Sequence, residues 1–375
     1  MLEKISKNRS AVMGTAILLI MLYHSKVVLP TVFPYYIVAA ILEFGYGGVD
    51  IFLFLSGFGI YRTLSRKQDL LYYYKRRIKR ILPAYIPALV VWAILILPEV
   101  DVVTWPSAML SNLTGIAFWI QHPIRFNWYI LALPSFYLSA PVFMWLLKTK
   151  KHGTAIAIFS TVIIDLCFFD SYLMIATSRF TIFVIGMIAG RKMEENDAAG
   201  EVHESFVYLV GGAGILVLAF WAKQYPNWMW NYGLYWYPFI LIAPAVILLL
   251  CRCFSLLDRI WIGRKIRHFM EMCGECSLEI YLIHIIAFEY LCIEENWQWL
   301  FIFICMLLSG SIYHDLIGTM MARIAKKTCT VQGNEPPEKW SAKMKHCLGH
   351  TQPIGGECLL VVMGPSMRIV FCSPL

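Results

Sequence analysis

The sequence predicts an all-α integral membrane protein with about ten transmembrane helices and both termini in the cytoplasm. Three observations lead to this prediction. Only 15% of the 375 residues are charged and 59% are hydrophobic, whereas an ordinary soluble domain carries about a quarter charged residues. Apolar runs recur from Ala11 to Met321, and many reach the roughly 20 residues that a helix needs to cross the hydrocarbon core. Lys and Arg residues are concentrated in every second segment that joins these runs.

Each predicted span is one of these apolar runs. In chain order they are residues 11–29, 36–61, 78–98, 127–147, 154–169, 172–190, 205–222, 233–253, 276–293 and 298–322. The segment 104–121 is also apolar, but it contains Pro106, Ser111, Asn112 and Thr114. We therefore predict a re-entrant or interfacial piece there, and its Asn112-Leu113-Thr114 sequence is a potential glycosylation site on the outer side.

The distribution of basic residues gives the predicted orientation. Of the 32 Lys and Arg residues, 24 lie in the N-terminus and in alternate connecting segments, which are accordingly assigned to the cytoplasmic side of the plasma membrane. Because the basic residues stand in short clusters between apolar runs, the net charge of +8 indicates membrane topology and membrane lipid rather than a nucleic-acid partner. The predicted organisation is a membrane domain, 1–325, and a polar cytoplasmic tail, 326–375.

Ionisable side chains inside a span are costly, so each is a candidate functional residue. His24 lies about fourteen residues into the first span, or roughly 20 Å from its cytoplasmic end. A neutral imidazole there can accept a proton from a hydroxyl group. The alternative is that His24 only bonds a neighbouring helix. In the second span, the Gly47-to-Phe58 run carries Asp50 and Ser56; close packing explains its glycines but not its buried acid.

Three arginines stand at the cytoplasmic start of the third span: Arg76, Arg77 and Arg80. Charge-assisted contacts from such a cluster suit a phosphate-bearing ligand. Topology and attraction to anionic lipid explain the same cluster without any ligand. Both interpretations stay open at this point.

Two further regions carry candidate polar residues. His284 lies near the middle of the ninth span, with Glu279 one to two turns below it. Arg179 opens the sixth span, where it can hold an anionic group, pair with an acid or extend to the interface. Cys273 and Cys276 have the spacing of a redox or zinc motif, but no second ligand pair accompanies them, and no metal site is predicted.

Together these segments resemble the acyltransferase 3 family of ten-helix membrane proteins. The most specific matching segments are Met21-Leu22-Tyr23-His24-Ser25, Gly48 to Phe58, and Arg77 with Arg80-Ile81-Leu82-Pro83-Ala84-Tyr85. Arg179-Phe180 and the stretch from Ser277 to His284 support them. The resemblance covers roughly residues 10–322. It implies acyl transfer, with acetyl the leading choice, from a cytoplasmic acyl-coenzyme A to a hydroxyl of a carbohydrate or glycolipid acceptor, and no bound cofactor.

The resemblance also implies roles for particular residues: His24 would activate the acceptor hydroxyl as general base, and the third-span arginines would hold the donor. Our leading hypothesis adds that Asp50 orients the site or balances its charge. Met13 stands where the family usually has an arginine, with Arg9 one turn earlier as its candidate substitute. Leu133 stands where the family usually has a glutamate.

Two other functions fit the same residues. In a transporter or flippase, the buried His, Asp and Glu would form a proton relay and the arginines would engage a lipid or sugar phosphate. Alternatively, an inactive chain would serve as a membrane scaffold for proteins of glycan assembly, as the two departures from the family pattern allow.

Overall fold

The computed structural model describes residues 1–25, 39, 42–66, 69–101, 103–149, 151–169, 172–195, 203–225, 227–291 and 296–331. Every regular element in these ranges is helical, which confirms the predicted all-α class. The helices of ten or more residues are α1 (Leu2–Ser25), α2 (Gly48–Arg66), α3 (Leu70–Ile96), α4 (Trp105–Thr114), α5 (Trp128–Thr149), α6 (Gly153–Cys167), α7 (Phe180–Glu194), α8 (Glu204–Gln224), α9 (Phe239–Leu257), α10 (Trp261–Glu275), α11 (Ser277–Tyr290) and α12 (Asn296–Val331). Short helical turns cover Gly45–Gly47, Leu97–Glu99, Ile116–Trp119, Met174–Thr177 and Trp228–Asn231.

Several helices have the length and composition of membrane spans. Within the described ranges there are 7 such segments, which lie in α1, α3, α5, Met174–Glu194, α8, α9 and α12. Each overlaps one of the predicted spans, so the multi-pass membrane class is confirmed. The other three predicted spans fall on α2, which carries three charged residues, and on α6 and α11, whose 15 and 14 residues rise only about 21–23 Å. The count of about ten stays a prediction.

Three predicted boundaries differ from the structure. The second span was predicted from residue 36, but residues 45–47 form a separate turn and α2 begins at Gly48; residues 26–38 lie outside the described part. The third span was predicted from residue 78, but its helix begins at Leu70 because Asp69 caps it. The Asp69 side chain accepts hydrogen bonds from the backbone N–H groups of Leu71 and Tyr72, at 2.9 and 3.2 Å. The last helix continues to Val331, past the predicted end of the last span at residue 322, and residues 332–375 lie outside the described part.

Glycines bring α2 and α7 into backbone contact. A Cβ atom added to Gly57 would lie 2.1 Å from the Phe183 carbonyl oxygen, and one added to Gly186 would lie 2.1 Å from that of Phe54. Only a residue without a side chain fits either position, which is how small residues drive helix packing in membranes. The same principle joins α1 to α10, where an added Cβ at Gly14 would meet the Met270 carbonyl oxygen at 1.8 Å.

Ion pairs at both ends show that α2 and α7 run parallel. Asp50 at the start of α2 pairs with Arg179 at the start of α7, and Arg62 near the end of α2 pairs with Glu194 at the end of α7. Two spans run in the same direction when an odd number of crossings lies between them. The predicted second and sixth spans have three crossings between them, so their predicted directions agree with this finding.

The interrupted segment between α3 and α5 folds as a short helix, α4, followed by a turn. Its 10 residues rise only about 15 Å, too little to cross a bilayer. Asn112 is fully buried there: its amide nitrogen donates to the carbonyl oxygens of Ala108 and Ile124, at 2.8 and 3.0 Å, and its side-chain oxygen accepts from the Phe126 N–H at 2.7 Å. Since this amide is enclosed and fully bonded, the sequence interpretation as a glycosylation site is wrong for the folded chain.

Candidate active site

The polar residues of the bundle gather at two levels, and α1 extends from one to the other. Arg9 lies in the first half of α1 and His24 near its end. His24 lies 15 positions after Arg9, which corresponds to a rise of about 22 Å. The level around Arg9 is called the arginine end below, and the level around His24 the histidine end.

Two histidines meet at the histidine end. The ring centroids of His24 and His284 are 5.3 Å apart, and Phe288 lies against both rings. His284 is fully buried, and the Tyr281 ring packs edge-on against it with 4.8 Å between centroids. The structure therefore brings together His24 and His284, two predicted site residues that lie 260 positions apart in the sequence.

Backbone contacts fix the ring nitrogens of both histidines. Nδ1 of His24 lies 2.9 Å from the Ile20 carbonyl oxygen, and Nδ1 of His284 lies 3.3 Å from that of Ile280. A carbonyl oxygen can only accept, so each Nδ1 is the protonated nitrogen. In a neutral ring this leaves Nε2 as the basic nitrogen. For His284, Nε2 is buried and has no hydrogen-bond partner among the described residues.

A buried ion pair lies at the same end of the bundle. Arg179 Nε is 3.4 Å from Asp50 Oδ1, and the two side chains are only 2% and 1% exposed. Arg179 also donates to the Ile175 carbonyl oxygen at 2.5 Å, and its guanidinium lies over the rings of Trp128 and Trp236 at 5.1 and 5.2 Å from their centroids. Of the three possibilities predicted for Arg179, pairing with an acid is therefore the one observed, and extension to the interface is excluded by its burial.

The arginine end contains a cavity of about 400 Å³. Its lining is strongly cationic and consists of Arg9, Gly59, Arg62, Thr63, Arg66, Tyr72 and Arg76. These residues come from α1, the end of α2 and the start of α3, which the predicted topology places together on the cytoplasmic side. Gly59 makes room for Arg9, since an added Cβ there would lie 3.2 Å from the guanidinium carbon.

The three predicted donor-binding arginines have different surroundings. Arg76 lines the cavity. Arg77 lies between the rings of Tyr73 and Tyr137, at 5.4 Å from each centroid, and Ser56 of α2 contacts the Tyr137 hydroxyl. Arg80 does not line the cavity and instead contacts Glu279 and the Glu275 carbonyl oxygen.

Arg80 joins α3 to the start of α11. Its guanidinium donates to Glu279 Oε1 at 2.9 Å and to the Glu275 carbonyl oxygen at 3.1 Å. Glu279 is fully buried and also lies 3.3 Å from Nδ1 of His314. Glu279 and His284 are thus on one helix, but Glu279 belongs to the arginine side of the bundle and balances the charge of Arg80.

Sequence reasoning missed two acids that the structure places among polar partners. Glu194 bonds Arg62 and Arg66 beside the cavity. Asp165, only 7% exposed, accepts hydrogen bonds from Thr177 at 2.7 Å and Tyr237 at 2.5 Å. Asp165 could have been found from the sequence, because an acid inside a predicted membrane span is a candidate functional residue. Glu194 could not, because its partners Arg62 and Arg66 are distant in sequence.

The described residues contain no group of three His, Cys, Asp or Glu side chains arranged to hold a metal ion. Cys273 and Cys276 are both buried free thiols.

The fold and these two levels define a multi-pass membrane protein with a cationic cavity at one end and, nearer the other, a histidine pair of which His284 is fully buried. A family model described as an acyltransferase domain matches residues 12–315. The chain therefore belongs to the acyltransferase 3 family of membrane acyltransferases, as its sequence motifs predicted. No curated protein and no solved structure matches it significantly.

Proposed function

We propose that this membrane acyltransferase moves an acyl group, acetyl as the first choice, from cytoplasmic acyl-coenzyme A to a hydroxyl of a carbohydrate or glycolipid at the outer face of the plasma membrane. The observation that carries the proposal is the separation of the arginine cavity from the histidine pair along α1. The cavity suits the phosphates of coenzyme A. The pantetheine arm would extend through the bundle and carry the thioester towards His24.

His24 supplies the base for this reaction. Its Nε2 removes the proton of the acceptor hydroxyl, the oxygen attacks the thioester carbonyl carbon, and the carbon–sulfur bond breaks. The proton then passes to the departing thiolate, so that one coenzyme A thiol is released for each ester formed. The Nδ1 hydrogen bond to Ile20 holds the ring in the tautomer that this step needs.

His284 is the second basic group of the proposed site. A buried Nε2 that has no partner among the described residues is costly unless a ligand or water donates to it. A hydroxyl group of the acceptor has a donor of the required kind. His284 would position the acceptor, while Asp50 would hold Arg179 charged and in place at the histidine end.

The proposed topology has about ten spans with both termini in the cytoplasm. It is supported by the parallel course of α2 and α7 and by the cavity, which collects residues from α1, α2 and α3 that the basic-residue rule assigns to one side. The donor would therefore bind on the side where acyl-coenzyme A is made.

Sealed proteoliposomes test the proposal. Acetyl-coenzyme A is supplied on the face that carries the arginine cavity and a mixture of glycans and glycolipids on the other, and thiol release and acceptor mass are followed together. We expect equimolar thiol and ester for the wild-type chain and at least a hundredfold loss of both for His24→Ala. The control His152→Ala replaces an exposed histidine before α6 and should behave as wild type.

The alternatives give different results in the same experiment. A transporter or flippase would move the acceptor across the bilayer without releasing thiol. An inactive scaffold would do neither and would instead co-purify with glycan-assembly proteins. Full activity of His24→Ala would exclude the assigned role of this residue.

A further inference from the structure

The four arginines of the cavity differ in their partners. Arg62 donates to Glu194 Oε1 at 2.8 Å, and Arg66 donates to both oxygens of the same carboxylate, at 2.9 and 3.0 Å. Among the ion pairs of the described residues, none involves Arg9 or Arg76. One carboxylate therefore neutralises two of the four cationic groups that line the cavity.

The position of Glu194 follows from the packing of α2 against α7. Arg62 and Arg66 are four residues apart and lie on the same face of α2. Glu194 is the last residue of α7, and the close contact of these helices at Gly57 and Gly186 holds it opposite both arginines. The carboxylate is 17% exposed, whereas Arg66 is 64% exposed. The fold thus holds Glu194 beside the cavity, bonded to two of the arginines that line it.

A carboxylate and a phosphate form the same pattern of hydrogen bonds with an arginine guanidinium. Both present oxygens that accept two parallel N–H bonds from one guanidinium, as Glu194 does with Arg66. A phosphate that enters the cavity competes with Glu194 for these donors and is repelled by its charge. Arg9 and Arg76 stay available to the first phosphate, while the N–H groups of Arg62 and Arg66 that bind Glu194 become available only when the carboxylate is displaced.

We propose that Glu194 is an internal competitor of the donor phosphates, and that it sets the affinity of the cavity for coenzyme A. This inference rests on the proposed function for the identity of the ligand. It adds a specificity-determining residue that touches no reacting atom. The fold thereby keeps donor binding weaker than four free arginines would make it, which favours release of the coenzyme A product.

The test measures coenzyme A binding to the full chain in phosphatidylcholine nanodiscs at low salt. Glu194→Gln keeps the size of the side chain and removes its charge. We expect it to bind coenzyme A roughly three- to tenfold more tightly than wild type, the range for freeing two partly exposed ion pairs. The gain should shrink as salt is raised, because the interactions are partly exposed.

Two variants and one ligand serve as controls. Glu195→Gln makes the same chemical change one residue later, where the acid pairs with Arg191 and not with the cavity, and should bind as wild type. Glu194→Asp keeps the charge and should stay close to wild type. S-acetylpantetheine bears no phosphate and should gain nothing from Glu194→Gln.

The outcomes separate this inference from the function on which it rests. If wild type binds coenzyme A but Glu194→Gln binds it equally or more weakly, Glu194 is not a competitor and the proposed function stands. If neither chain binds coenzyme A, the donor site and the inference both fail. If Glu194→Gln instead gains affinity only for phosphatidylglycerol added to the nanodiscs, the cavity binds a lipid headgroup and the inference about the donor is overturned.

Discussion

Asp50 and Arg179 form an ion pair across the contact between α2 and α7, with 3.4 Å between Oδ1 and Nε and almost no exposure of either side chain. Asp50 Oδ2 has no hydrogen-bond partner among the described residues. A buried pair of this kind adds little net stability, but loss of one member leaves an uncompensated charge. The pair therefore fixes how the histidine end is assembled.

Removing one charge of this pair should destabilise the chain strongly. We expect Asp50→Asn to lower the free energy of unfolding by about 3–5 kcal/mol, measured by thermal or denaturant unfolding in detergent. The double variant Asp50→Asn/Arg179→Gln should recover much of the loss because no charge is left unpaired. Arg191→Gln breaks an exposed pair with Glu195 and should cost under about 1 kcal/mol. Wild-type stability of Asp50→Asn would contradict the assigned role of the pair.

The close approach of α2 and α7 predicts a sharp difference between two glycines. Gly57→Ala places a methyl group 2.1 Å from a backbone oxygen, so the helices must separate, at a cost of about 1–3 kcal/mol or more. Gly212 of α8 has no atom within 4 Å of an added Cβ, and Gly212→Ala should be tolerated. Melting temperatures of the two variants check this, and equal stability would show that α2 and α7 do not touch as described.

Asn112 should act as a structural residue and not as a glycan acceptor. Asn112→Ala leaves the Phe126 N–H without its bond of 2.7 Å, at a cost of about 1–3 kcal/mol for an unsatisfied buried donor. Thr114→Ala removes the same sequon and leaves the Asn112 bonds intact, so it should be silent in an unfolding assay. Glycan attached to Asn112 in folded protein, detected by mass spectrometry, would refute this account.

The thiol of Cys273 should resist alkylation at neutral pH. Burial raises its pKa to about 11, and only the thiolate reacts. The thiolate fraction therefore stays very small below pH 9 and rises only as the pH approaches 11. Peptide mass spectrometry after N-ethylmaleimide treatment should find Cys273 modified in unfolded protein but not in folded protein. Rapid modification of the folded chain at pH 7 would show that this residue is accessible and ionised.

The sequence predicted those features that depend on local pattern. Apolar length identified the helices, and the cost of intramembrane charge identified His24, Asp50 and His284 before their contacts were known. The start of α3 was misplaced, because a capping aspartate at residue 69 and the helix propensity of Lys and Arg extend the helix below the apolar run. Hydropathy alone cannot detect that extension.

Pairings between helices were not predictable from one sequence. Glu194 meets Arg62 and Arg66 at separations of 132 and 128 residues, and Arg80 meets Glu279 at 199. Each contact depends on which helices pack together; for Glu194 it is the packing of α2 against α7 at Gly57 and Gly186. The same dependence explains why the arginine cavity contains only Arg76 of the predicted donor-binding set.

The most direct test of the central claim is mass spectrometry of surface glycans and glycolipids from cells that carry the wild-type chain, the His24→Ala chain or neither. The account predicts products heavier by one acyl group with wild type alone, at equal membrane levels of both chains. Identical glycan masses in all three samples, or the same acylated products with His24→Ala, would contradict it.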